Sequence, residues 1–352
     1  MKLSDLDTPA VLIDVDRADA NLQRFQAYAD AHGLRVRPHI KTHKLPRFAK
    51  RQVELGAVGI TCQKLGEAEV MADAGLTDIF IPYNIIGKAK LDRLVALHGR
   101  IKLAVTADSA ATVSGLAAAF AGSAKPLEVL VECDTGMGRC GVQTPDDAVA
   151  LAKVIDAADG LRFAGFMTYP KAGGVQENQA WLAAAKQKAA DAGLDPCIIS
   201  NGGSPEMWRA HEVTAATEHR PGTYIYMDRF QVAKNAGTWD DCALTVLATV
   251  VSRPTDNRAV IDAGSKSLSS DTFGMEGFGR IVEFPDAVIT SLSEEHGTID
   301  VSACKSKPQI GDRVRIIPNH ACVVSNLFDS VVLISGDAVV DIAPVAARGR
   351  VG

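Results

Sequence analysis

The sequence predicts an α/β fold in two parts, a (β/α)8 barrel of the TIM type and a C-terminal β-rich domain. Two observations support this prediction. Over the first two-thirds of the chain, short apolar runs alternate with amphipathic stretches that end at glycine, a pattern typical of strands followed by helices. After about residue 240, strand-like runs follow one another with turns between them and no convincing long helix.

The alternating part divides into eight units. Its candidate strands are residues 34–40, 57–62, 78–83, 101–106, 127–134, 161–169, 197–201 and 223–227. The helices predicted between them are residues 17–32, 65–74, 88–98, 109–121, 146–158, 178–192 and 204–211. Alternating strands and helices favour a parallel sheet with right-handed crossovers. Eight units in about 200 residues fit a closed barrel better than an open sheet.

The later part holds the strand-like runs 243–253, 259–264, 313–319 and 330–336. The apolar run 10–16 either joins this β-rich part or begins the barrel. We therefore predict a barrel domain over residues 10–240. A β-rich domain would take residues 241–352 together with residues 1–9.

The composition of the chain limits the kinds of molecule that the protein is expected to bind. Of the 352 residues, 47% are hydrophobic and 22% charged, and the net charge is −5, so we expect neither nucleic acid nor an anionic membrane as a partner. No run reaches the roughly 18–20 apolar residues of a membrane helix. The N-terminus has no apolar signal segment, and the seven cysteines are widely scattered. These features predict reduced thiols in a cytoplasmic protein.

Polar residues follow the predicted strands at the barrel end where enzymes of this architecture carry their chemistry. They include Lys41, Gln63, Arg139, Tyr169, the turn from Asn201 to Ser204, and the segment from Arg220 to Tyr224. The loops after strands seven and eight of such barrels often bind phosphate against a short helix. The turn Asn201-Gly202-Gly203-Ser204 fits this role, although a Gly-Gly turn by itself is more often only a turn.

Lys41 lies in the segment RPHIKTHK. Its amine could form a Schiff base with a carbonyl, whereas by itself it is more often part of a basic surface turn. A strand-end lysine and a phosphate cup in one barrel together predict pyridoxal phosphate as the cofactor.

His320 and Cys322, in the segment PNHAC, form a second candidate site. In a strand, His-x-Cys places both side chains on one face, about 6–7 Å apart. Imidazole with thiolate suits zinc. Without other information, a buried cysteine beside a hydrogen-bonded histidine is the more common explanation. His296, in the segment SEEHG, is a further candidate in the same part of the chain.

These segments together resemble one known family. The resemblance is to the D-threonine aldolase / D-serine dehydratase family of fold-type III, alanine-racemase-like pyridoxal-phosphate enzymes, and runs from Asp7 nearly to the end of the chain. Its sequence blocks are DTPAVLID, RPHIKTHK, GITCQKLGEAE, TGMGRCGV, HRPGTYIYMD, VIDAGSKS, SEEHG and PNHACVVSNLFD.

The resemblance implies roles for individual residues. Lys41 would form the Schiff base with the cofactor, Arg139 would contact its ring region, and Tyr169 would pack beside it. The phosphate would be held by Asn201, Gly202, Gly203, Gly222, Thr223 and Tyr224, and Gln63 is counted among the cofactor-binding residues. His320 and Cys322 would bind a divalent cation, with zinc favoured over manganese or magnesium. A homodimer is implied as well.

The implied activity is that of a lyase acting on small β-hydroxy D-amino acids. The aldolase reaction would cleave Cα–Cβ to give glycine and an aldehyde, with His296 or a metal-bound water as the base. The alternative is dehydration of D-serine or 3-hydroxy-D-aspartate to a 2-oxo acid and ammonia, with Lys41 removing the α-proton. Cys322 favours dehydration, whereas GITCQKLGEAE and TGMGRCGV look like aldolase segments.

Two further features bear on the choice of reaction. Relatives carry a histidine shortly after the tyrosine at position 169, and this chain has Lys171 nearby instead. An amino-acid racemase is less favoured, because it would need acid/base groups on both faces of the cofactor and would have no use for the His320 and Cys322 pair. A non-catalytic pyridoxal-phosphate carrier normally lacks a second domain such as residues 240–352. A purely structural barrel is disfavoured because the lysine, the glycine turn and the metal pair occur together.

Overall fold

The computed structural model describes residues 2–352 and contains two compact units. The barrel unit comprises Phe25–Lys41, Pro46–Gly222 and Arg350–Gly352. The β-rich unit comprises the chain up to Arg24 together with Thr42–Leu45 and Thr223–Gly349.

The strands, in chain order, are β1 Ala10–Asp14, β2 Arg35–Val36, β3 Ile60–Thr61, β4 Asp78–Asn84, β5 Lys102–Ala107, β6 Leu127–Cys133, β7 Leu161–Thr168, β8 Ile198–Asn201, β9 Glu218–His219, β10 Leu244–Thr255, β11 Arg258–Ile261, β12 Arg280–Ile281, β13 Val288–Leu292, β14 Gly297–Asp300, β15 Arg313–Ile317, β16 Ser330–Ser335 and β17 Ala338–Pro344.

The α-helices are α1 Val15–Ala31, α2 Pro46–Glu54, α3 Leu65–Asp73, α4 Lys88–His98, α5 Ala110–Phe120, α6 Pro145–Asp156, α7 Val175–Asp191, α8 Arg229–Ala233 and α9 Ala321–Leu327. Short 3-10 helices occur at Leu3–Asp5, Ile40–Thr42, Ser204–Glu212, Thr223–Ile225 and Trp239–Asp241. Helices α2, α8 and α9 have no counterpart in the sequence prediction.

The barrel unit is built on a parallel sheet of eight strands in the order β2-β9-β8-β7-β6-β5-β4-β3. A parallel bridge between His39 and Thr61 joins the segment after β2 to β3, which are the two ends of that order. Phe80, Leu130, Ala164 and Met167 form a buried cluster in this unit. The predicted fold class, an eight-stranded α/β barrel with a β-rich part, is confirmed.

The eighth strand lies at Glu218–His219 and not at residues 223–227, where the prediction was wrong. Pro221 cannot donate a ladder hydrogen bond, and a 3-10 helix begins two residues later at Thr223. The apolar run that suggested a strand is buried within that helix and the turn after it. Periodicity alone cannot tell a buried strand from another buried segment.

The β-rich unit contains a sheet in the order β13-β14-β11-β10-β1-β16-β17, and β15 pairs with β10 and with β12. Strand β1 pairs antiparallel with β10 and parallel with β16. The apolar run 10–16 therefore contributes its strand to this sheet and not to the barrel. A buried cluster of Leu12, Leu247, Val332 and Ile334 packs this region.

None of the helices within residues 2–352 combines the length and the apolar character needed to cross a lipid bilayer.

Candidate active site

Lys41 lies in the turn that follows β2 in the barrel unit. Its backbone N–H donates to Nδ1 of His39 at 3.3 Å, so Nε2 of that ring carries the proton and donates to Oε1 of Gln63 at 3.0 Å. The Nε2 group of Gln63 in turn donates to the carbonyl of Pro82 at 3.3 Å. Two predicted site residues, Lys41 and Gln63, are thus connected through His39, which fixes the backbone conformation at the lysine.

The turn after β8 has the shape of a small cup. Nε2–H of His219 donates to the carbonyl of Gly203 at 3.1 Å, and the N–H of Gly222 donates to Oγ of Ser204 at 3.1 Å. A Cβ atom on Gly202 would lie 1.9 Å from Cε1 of His219, and one on Gly203 would lie 2.7 Å from Cε2 of Tyr169. Side chains from two other strand ends therefore pack directly on this glycine pair, and both positions require glycine.

Replacing Gly202 with alanine is expected to destabilise the barrel unit and to weaken cofactor binding. The φ angle there is +94°, which costs an L-residue roughly 1–2 kcal/mol, and the added methyl group would overlap the His219 ring. Gly193→Ala is the matched control, because Gly193 has φ +76° with no atom within 4 Å of the added Cβ. Urea unfolding should show the larger loss for Gly202→Ala. Equal losses would mean that the ring contact has no effect.

His219 is neutral in the folded protein. Burial, followed by the positive charge of Arg220, lowers the pKa of its ring to about 4 from an ordinary value of 6.5. Its Nδ1 atom is buried and has no hydrogen-bond partner among residues 2–352.

This lowered pKa predicts a pH dependence of stability. Between pH 6.5 and about 4, the unfolded chain binds a proton at this histidine and the folded chain does not. The free energy of unfolding therefore falls as the pH falls through this window, by up to about 3 kcal/mol. His219→Gln keeps an N–H donor and removes the titration, so its unfolding free energy should vary less over the same window. His32→Gln, at an exposed ring, is the control, and identical pH profiles for wild type and His219→Gln would contradict this expectation.

Arg139 lies in the loop after β6. The carboxylate of Asp134 accepts the N–H groups of Gly136 at 2.9 Å and Gly138 at 3.1 Å, which folds this loop back on the strand end. The guanidinium carbon of Arg139 lies 5.3 Å from the centroid of the Tyr169 ring. The structure thus brings together two residues that the resemblance implied, one beside the cofactor ring and one packed against it.

Arg220 belongs to a segment that the sequence analysis placed at the catalytic end of the barrel, but no role was predicted for it. It is 4% exposed, and its Nη2 group donates to the carbonyl of Thr168. Its Nε has no hydrogen-bond partner in the described part of the chain. Burial lowers the pKa of this guanidinium to about 10, so it stays charged near neutral pH. An arginine immediately before the Pro-Gly of the eighth unit was the available sequence signal.

In the β-rich unit, His320 and Cys322 stand at the start of a helix. His320 is the N-cap of α9, and Cys322 lies in its first turn. The prediction that they share one face of a strand was therefore wrong. The N–H of Ala321 donates to the buried carboxylate of Asp228 at 3.0 Å, and this contact fixes the first turn of the helix.

Neighbouring groups orient this pair. Nδ1 of His320 lies 2.7 Å from Oδ2 of Asp271, and Sγ of Cys322 lies 3.0 Å from Oγ1 of Thr42 and 3.5 Å from Oγ1 of Thr223. Burial lowers the pKa of His320, but the opposing effects of Cys322, Asp271 and Asp228 outweigh it and raise this pKa to about 9. Asp271, 49 residues away in sequence, was not predicted.

Three other residues named from the sequence have these positions, and Lys171 lines a small cavity together with Asn201, Gly202 and His219. His296 is exposed in the turn between β13 and β14, and its side chain has no hydrogen bond within residues 2–352. Lys171 is exposed before α7. Tyr224 is buried in the 3-10 helix that Thr223 begins.

Comparison with known proteins identifies the class of this fold. Residues 13–230 match the family model "Alanine racemase, N-terminal domain", and residues 243–334 match "Putative serine dehydratase domain". The eight-stranded barrel and the β-rich unit therefore define a protein of the alanine-racemase-like fold.

Full-length relatives narrow this class. D-threonine aldolase from Arthrobacter sp is 36% identical, covering 99% of this chain and 94% of that protein. D-threo-3-hydroxyaspartate dehydratase from Delftia sp. (strain HT23) is 32% identical, covering 95% of this chain and 96% of that protein. The crystal structure of D-threonine aldolase from Filomicrobium marinum superposes with a TM-score of 0.90 at 35% identity, covering 100% of this chain and 98% of that one.

The chain belongs to the family that contains D-threonine aldolase and D-threo-3-hydroxyaspartate dehydratase. The resemblance stated from the sequence is thereby confirmed. Family membership indicates pyridoxal phosphate as the cofactor. The metal, the subunit composition and the roles of individual residues remain predictions.

The barrel residues fit such a cofactor. The rings of His219 and Tyr169 require glycine at both positions of the Gly202-Gly203 turn, and a turn without Cβ atoms allows backbone N–H groups to approach an anion closely. The charged Arg220 has a buried N–H group with no partner among residues 2–352, which is costly unless a ligand accepts from it.

The pair on α9 fits a metal ion in its donor chemistry. Asp271 holds Nδ1 of His320, which leaves Nε2 for a metal, and a carboxylate at the second nitrogen is typical of metal-binding histidines. Among residues 2–352, no group of three or more His, Cys, Asp or Glu side chains is arranged to hold a metal ion. This pair would therefore leave several coordination positions to water or substrate.

Proposed function

We propose that this protein is a pyridoxal-phosphate- and divalent-metal-dependent lyase acting on β-hydroxy D-amino acids, with D-threonine aldolase-like cleavage of Cα–Cβ to glycine and an aldehyde. The observation that supports it most is the full-length similarity to D-threonine aldolase, at 36% identity. The alternative is dehydration of D-serine or 3-hydroxy-D-aspartate to a 2-oxo acid and ammonia. The thiol of Cys322 beside His320 favours this alternative, because it suits a zinc ion acting on a leaving hydroxide.

Each unit contributes residues to this proposal. Lys41 would hold the cofactor covalently, Gln63 would support it through His39, and Arg139 with Tyr169 would lie beside its ring. Asn201, Gly202, Gly203, Gly222, Thr223 and Tyr224 would bind its phosphate. Nε–H of Arg220 would donate a charged hydrogen bond to the cofactor, since this buried group has no partner in the described chain.

Bound pyridoxal phosphate would supply an electron sink for charge that develops at Cα. The chain's own groups would orient the substrate and move protons. His320 and Cys322 would hold a divalent cation, with zinc favoured by a nitrogen and a sulfur donor. Asp271 would keep the His320 ring in one orientation. His296, or a water held by that cation, would take the β-hydroxyl proton in the aldolase reaction. Nζ of Lys41 would take the α-proton in the dehydratase reaction.

The remaining features of the proposal concern the whole chain. The functional division predicted from the sequence is a cofactor-binding domain over residues 10–240 and a metal-binding domain over residues 241–352 with residues 1–9. It differs from the compact units of the structure, in which residues 10–24 and 223–240 belong to the β-rich unit. We propose a cytoplasmic homodimer whose partners are small D-amino acids and not nucleic acid or membrane. The scattered cysteines support the cytoplasmic location, and the net charge of −5 argues against nucleic acid and anionic membrane. The homodimer and the D-amino acid substrates follow from the family resemblance.

Product analysis tests the proposed activity. The purified protein, supplied with cofactor, is incubated with D-threonine, D-serine and D-threo-3-hydroxyaspartate, each with and without a metal chelator. Glycine with an aldehyde identifies the aldolase, and a 2-oxo acid with ammonia identifies the dehydratase. If neither pair of products forms with any substrate or any added divalent metal, both the aldolase and the dehydratase proposals are rejected. D/L interconversion in deuterated water would identify a racemase instead.

A further inference from the structure

A cavity of about 160 Å³ lies within the β-rich unit. Arg229, Trp239, Glu276, Arg280, Ala287 and Val288 are among the residues that line it. A protein cavity of about 150 Å³ can hold a benzene molecule, so this one has room for a compact organic ligand. None of its lining residues is part of the site proposed above.

One wall of the cavity carries a guanidinium with no anionic partner. The guanidinium carbon of Arg280 lies 4.3 Å from the centroid of the Trp239 ring. Its nitrogen atoms make no hydrogen bond or ion pair with any of residues 2–352. Arg280 is only half-exposed, so solvent satisfies this group less well than it would at the surface.

The second guanidinium is also without a carboxylate partner. Nη1 of Arg229 donates to the carbonyl of Glu276 at 2.6 Å and to Oδ1 of Asn319 at 3.1 Å. No ion pair involves this arginine within the described chain. Nη1 also donates to the carbonyl of Gly277 at 3.4 Å, and the Nε and Nη2 groups make no hydrogen bond within the described chain.

Arg229 and Arg280 are both positively charged, line the same cavity and repel each other. Burial lowers the pKa of Arg229. The charge of Glu276, which also lines the cavity, acts in the opposite direction, and the charge of Arg280 lowers this pKa by a smaller amount. An anion between the two guanidiniums would offset both the burial and the mutual repulsion, because planar guanidinium groups pair well with carboxylates.

The rest of the lining is largely apolar. The Trp239 ring, Ala287 and Val288 face the cavity together with Pro285, and Ala287 is buried. A bare inorganic anion would leave this apolar surface without a partner. A carboxylate joined to a compact apolar group would satisfy both parts of the lining.

We propose that this cavity binds a small organic monocarboxylate, with its carboxylate between Arg229 and Arg280 and its apolar body against Trp239 and Val288. The site lies entirely within the β-rich unit and does not depend on the proposed lyase activity. Two observations set its ligand class. Neither Arg229 nor Arg280 forms an ion pair with a carboxylate among the described residues, although the charge of Glu276 acts on Arg229, and the rest of the wall is apolar and of limited size.

Benzoate is the probe for this proposal, and binding to the full-length protein loaded with cofactor is measured by calorimetry and tryptophan fluorescence. Arg280→Gln keeps a polar side chain and removes the charge, and should weaken benzoate binding by about tenfold or more. Arg258→Gln removes an exposed arginine of the same unit and should leave the affinity unchanged. Thermal unfolding establishes that both variants are folded.

Two further ligands separate the contributions of charge and apolar contact. Benzyl alcohol has the same ring without the charge, and inorganic phosphate has charge without an apolar body, so both should bind more weakly than benzoate. The proposal is overturned if benzoate does not bind, or if Arg280→Gln binds it as tightly as the wild type. Equal affinity for either comparison ligand also overturns it.

Discussion

Replacing Lys41 with alanine is expected to abolish covalent attachment of pyridoxal phosphate and to reduce turnover by at least the roughly 10²–10⁴-fold that a positioned proton-transfer group contributes. This lysine is half-buried in the turn after β2, and its own N–H is bonded to His39. A neighbouring lysine cannot easily replace it, because the backbone that presents the amine is fixed by the hydrogen bonds through His39 and Gln63.

The measurement is borohydride reduction of the loaded protein, followed by digestion and mass spectrometry. The wild type should carry the reduced cofactor on Lys41, and the Lys41→Ala protein should carry none. Lys50→Ala, at an exposed lysine of α2, should keep both the adduct and the activity. An adduct on another lysine of the wild type would refute the assignment of Lys41.

Loss of either member of the α9 pair is expected to remove the bound metal. His320 and Cys322 are the proposed protein ligands, and removal of one leaves a single donor. We expect His320→Ala and Cys322→Ala to lose more metal affinity than the roughly 10–100-fold that loss of an outer hydrogen-bond partner costs. Asp271→Asn, which weakens only the partner of Nδ1, should fall between these variants and the wild type.

Metal content is measured by elemental analysis after dialysis against a series of metal buffers, and turnover is measured on the same samples. Cys197→Ala is the control, since Cys197 is an exposed thiol in the barrel unit. Chelator treatment of the wild type should reproduce the activity of the His320→Ala protein. Unchanged metal content in both alanine variants would show that the metal, if any, binds elsewhere.

The local pattern of the chain determined most of the fold. Seven of the eight apolar runs predicted in the barrel overlap an observed barrel strand, and the amphipathic stretches between them form helices. The periodicity of apolar residues shows which side chains are buried. In a chain of alternating strands and helices, this burial pattern also distinguishes the strands from the helices. The same residues, with their glycines and strand-end polar groups, were sufficient to identify the family.

Pairing between distant segments was decided only in the tertiary structure. The eighth strand is the polar pair Glu218 and His219, in which the glutamate accepts from buried Arg37 at 3.0 Å. No apolar pattern marks such a strand. The run 10–16 was equally compatible with either unit, and its hydrogen bonds to β10 and β16 place it in the β-rich sheet.

The candidate metal pair also shows what the sequence determines and what only the tertiary structure determines. The sequence singled out His320 and Cys322 as residue types, but not their local structure. A helix begins there because Asp228, 93 residues earlier, accepts the N–H of Ala321, and Asp271 orients the His320 ring from a third segment. The residue types that bind a metal are readable in one short segment. Their orientation depends on hydrogen bonds to groups that only folding brings near, because a side chain acts on whatever lies within a few ångströms and not on its neighbours in sequence.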